Sequence, residues 1–302
     1  MPGHLATPDK GSKIYSFAAL SDIHMQYETG PADFQAALTY LDSNIVDFIC
    51  ICGDLTNNGT ADELSQYKEY VDTYAKAPVY AIAGNHEGYN SNILDILETY
   101  TGQPLYYSFT KGNDVFVMLG VKSSTNGILF ADGELQWLYE QLEANRNKRC
   151  FVFEHVFPKT NSLGLYNNSI WGSTETDVFE GLMKHYHNVI LFHGHSHLRY
   201  DLQTEYGEGT NYDYDFGCHS VHISSLASPR DANESDNGWV NIYADSEGYI
   251  VDVYENGIHL QGRDFVKGEF LPIASYWLDT TLKEIEPNTY TDTTGTIQIT
   301  EG

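Results

Sequence analysis

Three histidines stand at every second position in the segment HGHSH, residues 193–197. Side chains at alternate positions of an extended strand point to one face, so His193, His195 and His197 are able to converge. Imidazole nitrogens are frequent ligands of zinc, manganese and iron, but histidines are also ordinary surface residues. This segment alone therefore leaves a metal site and a polar surface strip both open.

Metal-type ligands follow four other apolar runs of the chain as well. The complete set is Asp22 and His24, Asp54, Asn85 with His86 and Glu87, His155, and His195 with His197. In an open α/β sheet, residues that follow different strands converge at the carboxyl ends of those strands. Each motif alone is commonly a turn, but independent turns are not expected to produce this ordered set. Carboxylates, imidazoles and an amide oxygen together suit Zn, Mn or Fe.

The elements that must position these residues alternate along the first two thirds of the chain. Apolar runs predict strands over 13–22, 46–54, 78–85, 114–120, 150–155 and 188–193, and helical periodicity predicts helices over 31–43, 60–77, 132–148 and 173–187. Continuous apolar strands between amphipathic helices indicate sheets that are covered on both faces. Beyond residue 199 short strands replace the helices, and the Asn256–Gly257 pair between two β-type runs predicts a hairpin.

Composition excludes several classes of protein. The 302 residues, 41% of them hydrophobic, are sufficient for one large domain or two. The formal net charge of −26 disfavours nonspecific binding to nucleic acid or to an anionic membrane, and we expect no nucleic-acid partner. No run reaches the roughly 18 apolar residues of a membrane span. Four cysteines without CxxC spacing are expected to be buried thiols rather than disulfides or zinc ligands.

The sequence gives less direct evidence about the cellular location of the protein and about its domain limits. The first 13 residues lack the apolar core of a signal peptide, which makes the cytoplasm the first expectation, while the acidic composition also fits a secreted mature chain. We expect a catalytic domain over 13–265 and an extension or linker over 266–302. Whether that extension packs on the domain stays open, as does the oligomeric state. The insert 159–173 is either a substrate loop or an ordinary surface loop.

The ordered motifs resemble those of the calcineurin-like metallophosphoesterase superfamily. They are Asp-Ile-His at 22–24, Gly-Asp at 53–54, Gly-Asn-His-Glu at 84–87, a single His155, and Gly-His-Ser-His at 194–197. The resemblance covers about 13–265 and implies a four-layer α/β/β/α sandwich of two mixed sheets flanked by helices. The segments around Asp54 and before Asn85 look most similar to the cyclic-nucleotide and glycerophosphodiester phosphodiesterase branch.

The resemblance also implies two divalent or trivalent metal ions, with Mn, Fe or Zn as the candidates. One ion would be held by Asp22, His24, Asp54 and His197, and the other by Asp54, Asn85, His155 and His195, with Asp54 bridging. His86 would face the substrate and protonate or stabilise the departing oxygen, and Glu87 would orient the His86 imidazole or hold its charge. His193 has no counterpart ligand and is expected to pack beside the site. Strand alternation is expected to turn Glu154 away from it.

The activity implied by the resemblance is hydrolysis of phosphate esters by a metal-bridging hydroxide. Small phosphodiesters are the expected substrates. A phosphomonoesterase or nucleotidase with the same ligands is the first alternative, and a non-catalytic protein-binding scaffold is the second. A nuclease is disfavoured because the chain has no stripe rich in Lys and Arg.

Overall fold

Two mixed β-sheets face each other, and α-helices cover the outer face of each. The computed structural model describes residues 10–42, 45–123, 129–160, 174–202, 212–213, 216–233 and 238–299. Apolar clusters fill the space between the sheets and the space under both helical layers. This arrangement confirms the four-layer α/β/β/α sandwich.

Fourteen strands and five helices make up the described part of the fold. The strands are β1 (Lys13–Leu20), β2 (Phe48–Cys52), β3 (Val79–Ile82), β4 (Tyr106–Lys111), β5 (Asp114–Leu119), β6 (Cys150–Glu154), β7 (Val189–His193), β8 (Tyr212–Asp213), β9 (His219–His222), β10 (Arg230–Asn233), β11 (Gly238–Asn241), β12 (Glu247–Tyr254), β13 (Gly257–Asp264) and β14 (Glu269–Asp279). The helices are α1 (Gly30–Tyr40), α2 (Ala61–Tyr74), α3 (Ser91–Thr101), α4 (Glu134–Ala144) and α5 (Thr174–His185). Two 3-10 helices, Glu87–Tyr89 and Tyr200–Leu202, lie in loops. Among the described helices, none has the length and apolar character needed to cross a membrane.

The two large sheets have six strands each. Their orders are β14-β13-β12-β1-β2-β3 and β4-β5-β6-β7-β9-β8, and β10 and β11 form a separate ribbon. Within the first sheet β1, β2 and β3 are parallel, and within the second β5, β6, β7 and β9 are parallel. All six predicted strands and all four predicted helices are present. The sequence pattern does not predict α3, although Asn90 caps its first turn by accepting a hydrogen bond from the Asn92 N–H.

Aromatic rings hold the two sheets together. The ring of Phe17 on β1 lies with its centroid 5.3 Å from that of Phe116 on β5 and 5.3 Å from that of Phe151 on β6. Burial of each such side chain contributes roughly 1.5–3 kcal/mol. On β6, Val152 packs in the apolar cluster between the second sheet and helices α4 and α5, which we call the outer cluster. Two residues further along, the Glu154 carboxylate contributes to the raised pKa of Glu134 on α4. Alternation therefore turns Glu154 outward, as expected. The four cysteines are buried free thiols, also as expected.

The end of the chain packs on the domain over its described residues. Strand β14 extends the first sheet beside β13, and Ile285, Tyr290 and Ile297 are buried in the outer cluster under α4 and α5. The predicted hairpin joins β12 to β13. Its two connecting residues are Glu255 and Asn256, while Gly257 already pairs within β13. The turn therefore lies one residue earlier than the Asn-Gly pair predicts.

A buried ion pair fixes the start of the strands in both sheets. Arg149 donates from Nε to Asp114 Oδ1 at 3.0 Å and from Nη2 to Asp114 Oδ2 at 2.7 Å. The Tyr15 hydroxyl on β1 donates to the same carboxylate at 2.7 Å. The three side chains thereby connect the first sheet to the second.

Removal of the Asp114 carboxylate is expected to destabilise the protein strongly. Asp114→Ala leaves a buried guanidinium unpaired, and breaking a buried pair in this way costs about 3–5 kcal/mol. Urea denaturation measures the free energy of unfolding. The control Asp72→Ala removes an exposed pair with Lys68 on α2, for which we expect at most about 1 kcal/mol. Equal losses in the two variants would contradict the structural role of Asp114.

Candidate metal centre

The candidate ligands follow strands of both sheets and meet at one edge of the sandwich. Asp22 and His24 follow β1, Asp54 follows β2, Asn85 follows β3, and residues 155 and 195–197 follow β6 and β7. Two groups of ligand atoms result. Within each group the atoms all lie within 4.8 Å of one another, and the groups are Asp22, His24, Asp54 and His197, and Asp54, His155 and His195.

The carboxylate of Asp22 has one anchored oxygen and one free oxygen. Its Oδ2 accepts a hydrogen bond from the backbone N–H of His195 at 3.1 Å. Its Oδ1 is buried and has no hydrogen-bond partner among the described residues, although His197 Nε2 lies 2.9 Å away. Two acceptors at this distance repel each other unless a cation or a proton lies between them. This orphaned oxygen fits a metal ion.

Asp54 repeats this arrangement. Its Oδ1 accepts from the backbone N–H of His86 at 2.9 Å. Its Oδ2 lies 3.2 Å from His155 Nε2 and 3.8 Å from His24 Nε2, which belong to different groups. One oxygen of Asp54 therefore faces both groups of candidate ligands.

Backbone carbonyls orient two of the imidazoles. His155 Nδ1 lies 2.6 Å from the carbonyl oxygen of Cys52, and His197 Nδ1 lies 3.1 Å from that of Ser228. Because a carbonyl oxygen only accepts, each Nδ1 carries a hydrogen, and in the neutral form of each ring the lone pair lies on Nε2. The Asn85 Oδ1 lies 3.1 Å from His155 Nε2 and so points to the same place. These nitrogens and oxygens form a donor set that fits Mn, Fe or Zn.

The backbone at the site is strained. The residues with positive φ include five candidate ligands: Asp22 (56°), His24 (48°), Asp54 (51°), His195 (70°) and His197 (61°). A left-handed conformation of a non-glycine residue costs about 1–3 kcal/mol and is concentrated at functional sites. Gly84 allows a close approach, since a Cβ there would lie 2.2 Å from Asp54 Oδ1. The fold thus stabilises a strained backbone at the positions whose side chains point into the cluster.

The electrostatics of the cluster keep its carboxylates ionised. Burial alone would raise the pKa of Asp22, but His197 and His155 outweigh it and hold that pKa well below its ordinary value. For Asp54, burial is likewise outweighed by His155 and His86, and its pKa is also lowered. Burial lowers the pKa of His155, yet Asp54 and Asp22 raise it to about 10. Ionised carboxylates are the form that binds a cation.

His86 lies at the mouth of the cluster, with 22% of its side chain exposed. Its Nδ1–H donates to the carbonyl oxygen of Asn57 at 2.6 Å, and its Nε2 lies 3.8 Å from Asp54 Oδ2. The ring of Tyr89 lies 4.6 Å away, centroid to centroid. The free Nε2 is therefore available to a molecule that enters the cluster from solvent.

Glu87 does not orient His86, contrary to the expectation from sequence. Its buried carboxylate accepts hydrogen bonds from the N–H groups of Thr56 and Gly84, each at 2.7 Å. Because these bonds use both oxygens, Glu87 connects the loop after β2 to the loop after β3. The orientation of His86 comes instead from the Asn57 carbonyl.

Two further polar residues near the cluster have structural partners. His193 is buried beside the cluster, and its Nε2 lies 3.1 Å from the Ser220 hydroxyl. Arg199, two residues after His197, pairs with Asp201 at 2.8 Å. Most of the insert 159–173 lies outside the described residues.

A sandwich of two mixed sheets with a carboxylate–histidine cluster across its strand ends defines a metallophosphoesterase-type fold and site. The sequence model of the calcineurin-like phosphoesterase family matches residues 15–199. Because this match covers more than half of the chain, the chain belongs to that family.

Comparisons with individual proteins agree with this membership. The chain is 29% identical over 117 residues to the "Probable glycerophosphodiester phosphodiesterase GpdQ" of Arcobacter nitrofigilis, an alignment covering 37% of this chain and 42% of that relative. Among solved structures it is similar to purple acid phosphatase PPD1 of yellow lupin, with a TM-score of 0.60, 14% identity, and coverage of 90% of this chain and 55% of that one. It is also similar to GAP50 of Plasmodium, with a TM-score of 0.58, 15% identity, and coverage of 94% and 93%. These two structures show the shared fold alone.

Proposed function

We propose that this protein hydrolyses small phosphodiesters at a dinuclear metal site. The observation that carries the proposal is the position of Asp54 Oδ2, which faces His155 at 3.2 Å and His24 at 3.8 Å and so belongs to both groups of ligand atoms. In two-metal hydrolases the ions are about 3.5–4 Å apart and share such ligands. The similarity to a relative named as a glycerophosphodiester phosphodiesterase favours diesters.

Charge also supports a small anionic substrate. Two divalent ions would bring about +4, and Asp22 and Asp54 bring −2, so the loaded site would keep about +2. This local charge attracts a phosphate in spite of the net charge of −26 of the whole chain.

Different residues of the chain have different roles in the proposed hydrolysis. When bound, the ions lower the pKa of a coordinated water and neutralise charge on the phosphoryl oxygens. His86 Nε2, in its protonated form, donates its proton to the departing oxygen, while the bond from Nδ1–H to the Asn57 carbonyl fixes the plane of the ring. Glu87 holds the loops that carry Asp54 and His86 through its bonds to Thr56 and Gly84.

Initial rates on two chromogenic substrates test the proposal. With protein loaded with Mn²⁺, kcat/KM for bis(p-nitrophenyl) phosphate is expected to exceed that for p-nitrophenyl phosphate at least about tenfold, equivalent to ~1.4 kcal/mol in transition-state binding. A preference for the monoester would replace the proposal by a phosphatase or nucleotidase. No turnover of either substrate by fully loaded protein would favour a protein-binding scaffold.

A further inference from the structure

Four polar side chains form a group beside the metal-site half that contains His24 and His197. We name Tyr27, Arg230, Asn241 and Tyr243 the rim cluster. The Tyr27 ring lies 6.1 Å from the His24 ring, centroid to centroid. The backbone N–H of Arg230 donates to the carbonyl oxygen of His197 at 2.6 Å. The rim cluster is therefore attached directly to two candidate metal ligands.

Asn241 determines how the members of the rim cluster face one another. Its Oδ1 accepts from Arg230 Nε at 3.1 Å, and its Nδ2 donates to the hydroxyls of Tyr27 at 3.0 Å and Tyr243 at 3.1 Å. The two hydroxyls lie 3.0 Å apart, so one of them donates to the other. The second hydroxyl hydrogen has no acceptor among the residues that the structure describes. Tyr243 is 41% exposed, so this edge of the rim cluster faces solvent.

Arg230 is half-buried, and its charge has no acidic partner within the part of the chain that the structure describes. Over the described residues, no carboxylate lies within 4.0 Å of its guanidinium, and no acceptor bonds to Nη1 or Nη2. The neighbouring Arg199, by contrast, pairs with Asp201 at 2.8 Å and with Asp245 at 3.3 Å. Over the described residues, Arg230 thus differs from the neighbouring Arg199 in a chain whose net charge is −26.

Arg230 lies beside the site, because its backbone N–H donates to the carbonyl oxygen of the candidate ligand His197. Among the described residues, no acceptor binds the four Nη N–H bonds of Arg230 or the second hydroxyl hydrogen of the rim cluster, and all of these groups are donors. A guanidinium fork matches the oxygens of a phosphate or carboxylate in two parallel hydrogen bonds.

We propose that the rim cluster is a substrate subsite in which Arg230 binds an oxyanion of the ester. Asn241 acts as a positioning residue that holds Arg230 Nε and leaves its Nη groups for the ligand. The rings of Tyr27 and Tyr243 lie 6.2 Å apart, centroid to centroid, and would contact the organic substituent. The oxyanion is either an oxygen of the reacting phosphodiester or a second anionic group on that substituent. This subsite rests on the proposed function, because it assigns the substrate of that site.

Two esters with the same leaving group separate these sources. Thymidine 5′-(p-nitrophenyl phosphate) carries only the reacting phosphate, whereas its 3′-phosphorylated form carries a second anion. Arg230→Gln is expected to raise KM about tenfold, in line with the loss of a charged hydrogen bond. An equal rise for both esters identifies the reacting phosphodiester, and a rise confined to the 3′-phosphorylated ester identifies the second anion. Arg230→Lys is expected to restore part of the affinity.

The matched control is Arg263→Gln. Arg263 also lacks a carboxylate within 4.0 Å over the described residues, but it lies on β13 above Phe270 and bonds only to Gln261. The Arg263→Gln variant is expected to keep the wild-type KM and kcat. Arg230→Gln with a wild-type KM for both esters would overturn the subsite.

Titration calorimetry with inorganic phosphate on Mn²⁺-loaded protein gives a readout that does not need turnover. Arg230→Gln is expected to weaken phosphate binding about tenfold relative to Arg263→Gln if the reacting phosphate is the ligand. If wild-type protein hydrolyses neither ester, the proposed function fails, and calorimetry still decides the subsite. Equal phosphate affinity in the two variants, together with equal affinity for thymidine 3′,5′-bisphosphate, would then overturn it. Circular dichroism is expected to show that both variants fold.

Discussion

Asp54→Asn is expected to abolish turnover and to reduce metal content from about two ions to about one or fewer per chain. The substitution replaces the oxygen that faces both groups of candidate ligands by part of a neutral amide. A two-metal site supplies several kcal/mol of transition-state stabilisation, so we expect kcat to fall at least about 10³-fold. Elemental analysis of the purified variant and initial rates measure the two effects.

Asp33→Asn is the matched control for this experiment. Asp33 is also a buried aspartate, but it lies on α1 and outside both groups of ligand atoms. We expect this variant to keep wild-type metal content and turnover. If Asp54→Asn behaved like Asp33→Asn, the dinuclear assignment would be wrong.

His86→Ala is expected to separate catalysis from metal binding. The His86 Nε2 faces the mouth of the cluster, and neither group of ligand atoms includes His86. Loss of a general acid lowers the rate about 10²–10⁴-fold, whereas metal content should stay at the wild-type level. The loss should be larger for an alkyl diester than for bis(p-nitrophenyl) phosphate, because p-nitrophenolate departs without a proton donor.

The control for this variant is His259→Ala. His259 lies on β13, where its Nε2 contacts the Ser275 hydroxyl at 3.0 Å. We expect it to leave kcat and metal content unchanged. Loss of metal in His86→Ala would mean that His86 is a ligand rather than the group that protonates the leaving oxygen.

The residues at the strand ends could be predicted from the sequence because two local sequence patterns coincide there. A continuous apolar run marks a buried strand, and a polar residue that ends such a run marks the edge of a sheet. Asp22, Asp54 and His155 each follow such a run, and the structure brings them together. Thr60 and Glu63 form an equally local contact, a capping box at the start of α2.

The supporting contacts could not be read in the same way. The carbonyl groups of Cys52, Asn57 and Ser228 orient imidazoles, and a backbone carbonyl is present at every residue whatever its side chain. Glu87 contacts Thr56, which lies 31 positions away, so its role depends on tertiary packing. An acidic residue after a histidine suggests a local pair, but here the fold directs it to another loop.

The rim cluster could not be predicted from the sequence for the same reason. Tyr27 lies near the start of the chain, whereas Arg230 and Asn241 lie on the β10–β11 ribbon. Their hydrogen bonds join segments more than 200 positions apart. Only one sequence signal points there, namely the scarcity of basic residues, 16 against 42 acidic ones, which makes each arginine informative.

The most direct test of the dinuclear site is an anomalous difference map of crystals grown with Mn²⁺, recorded at the manganese edge. Two peaks about 3.5–4 Å apart are expected on either side of Asp54 Oδ2, one beside Asp22, His24 and His197 and the other beside Asn85, His155 and His195. A single peak away from Asp54, or no peak in protein saturated with Mn²⁺, would contradict the account.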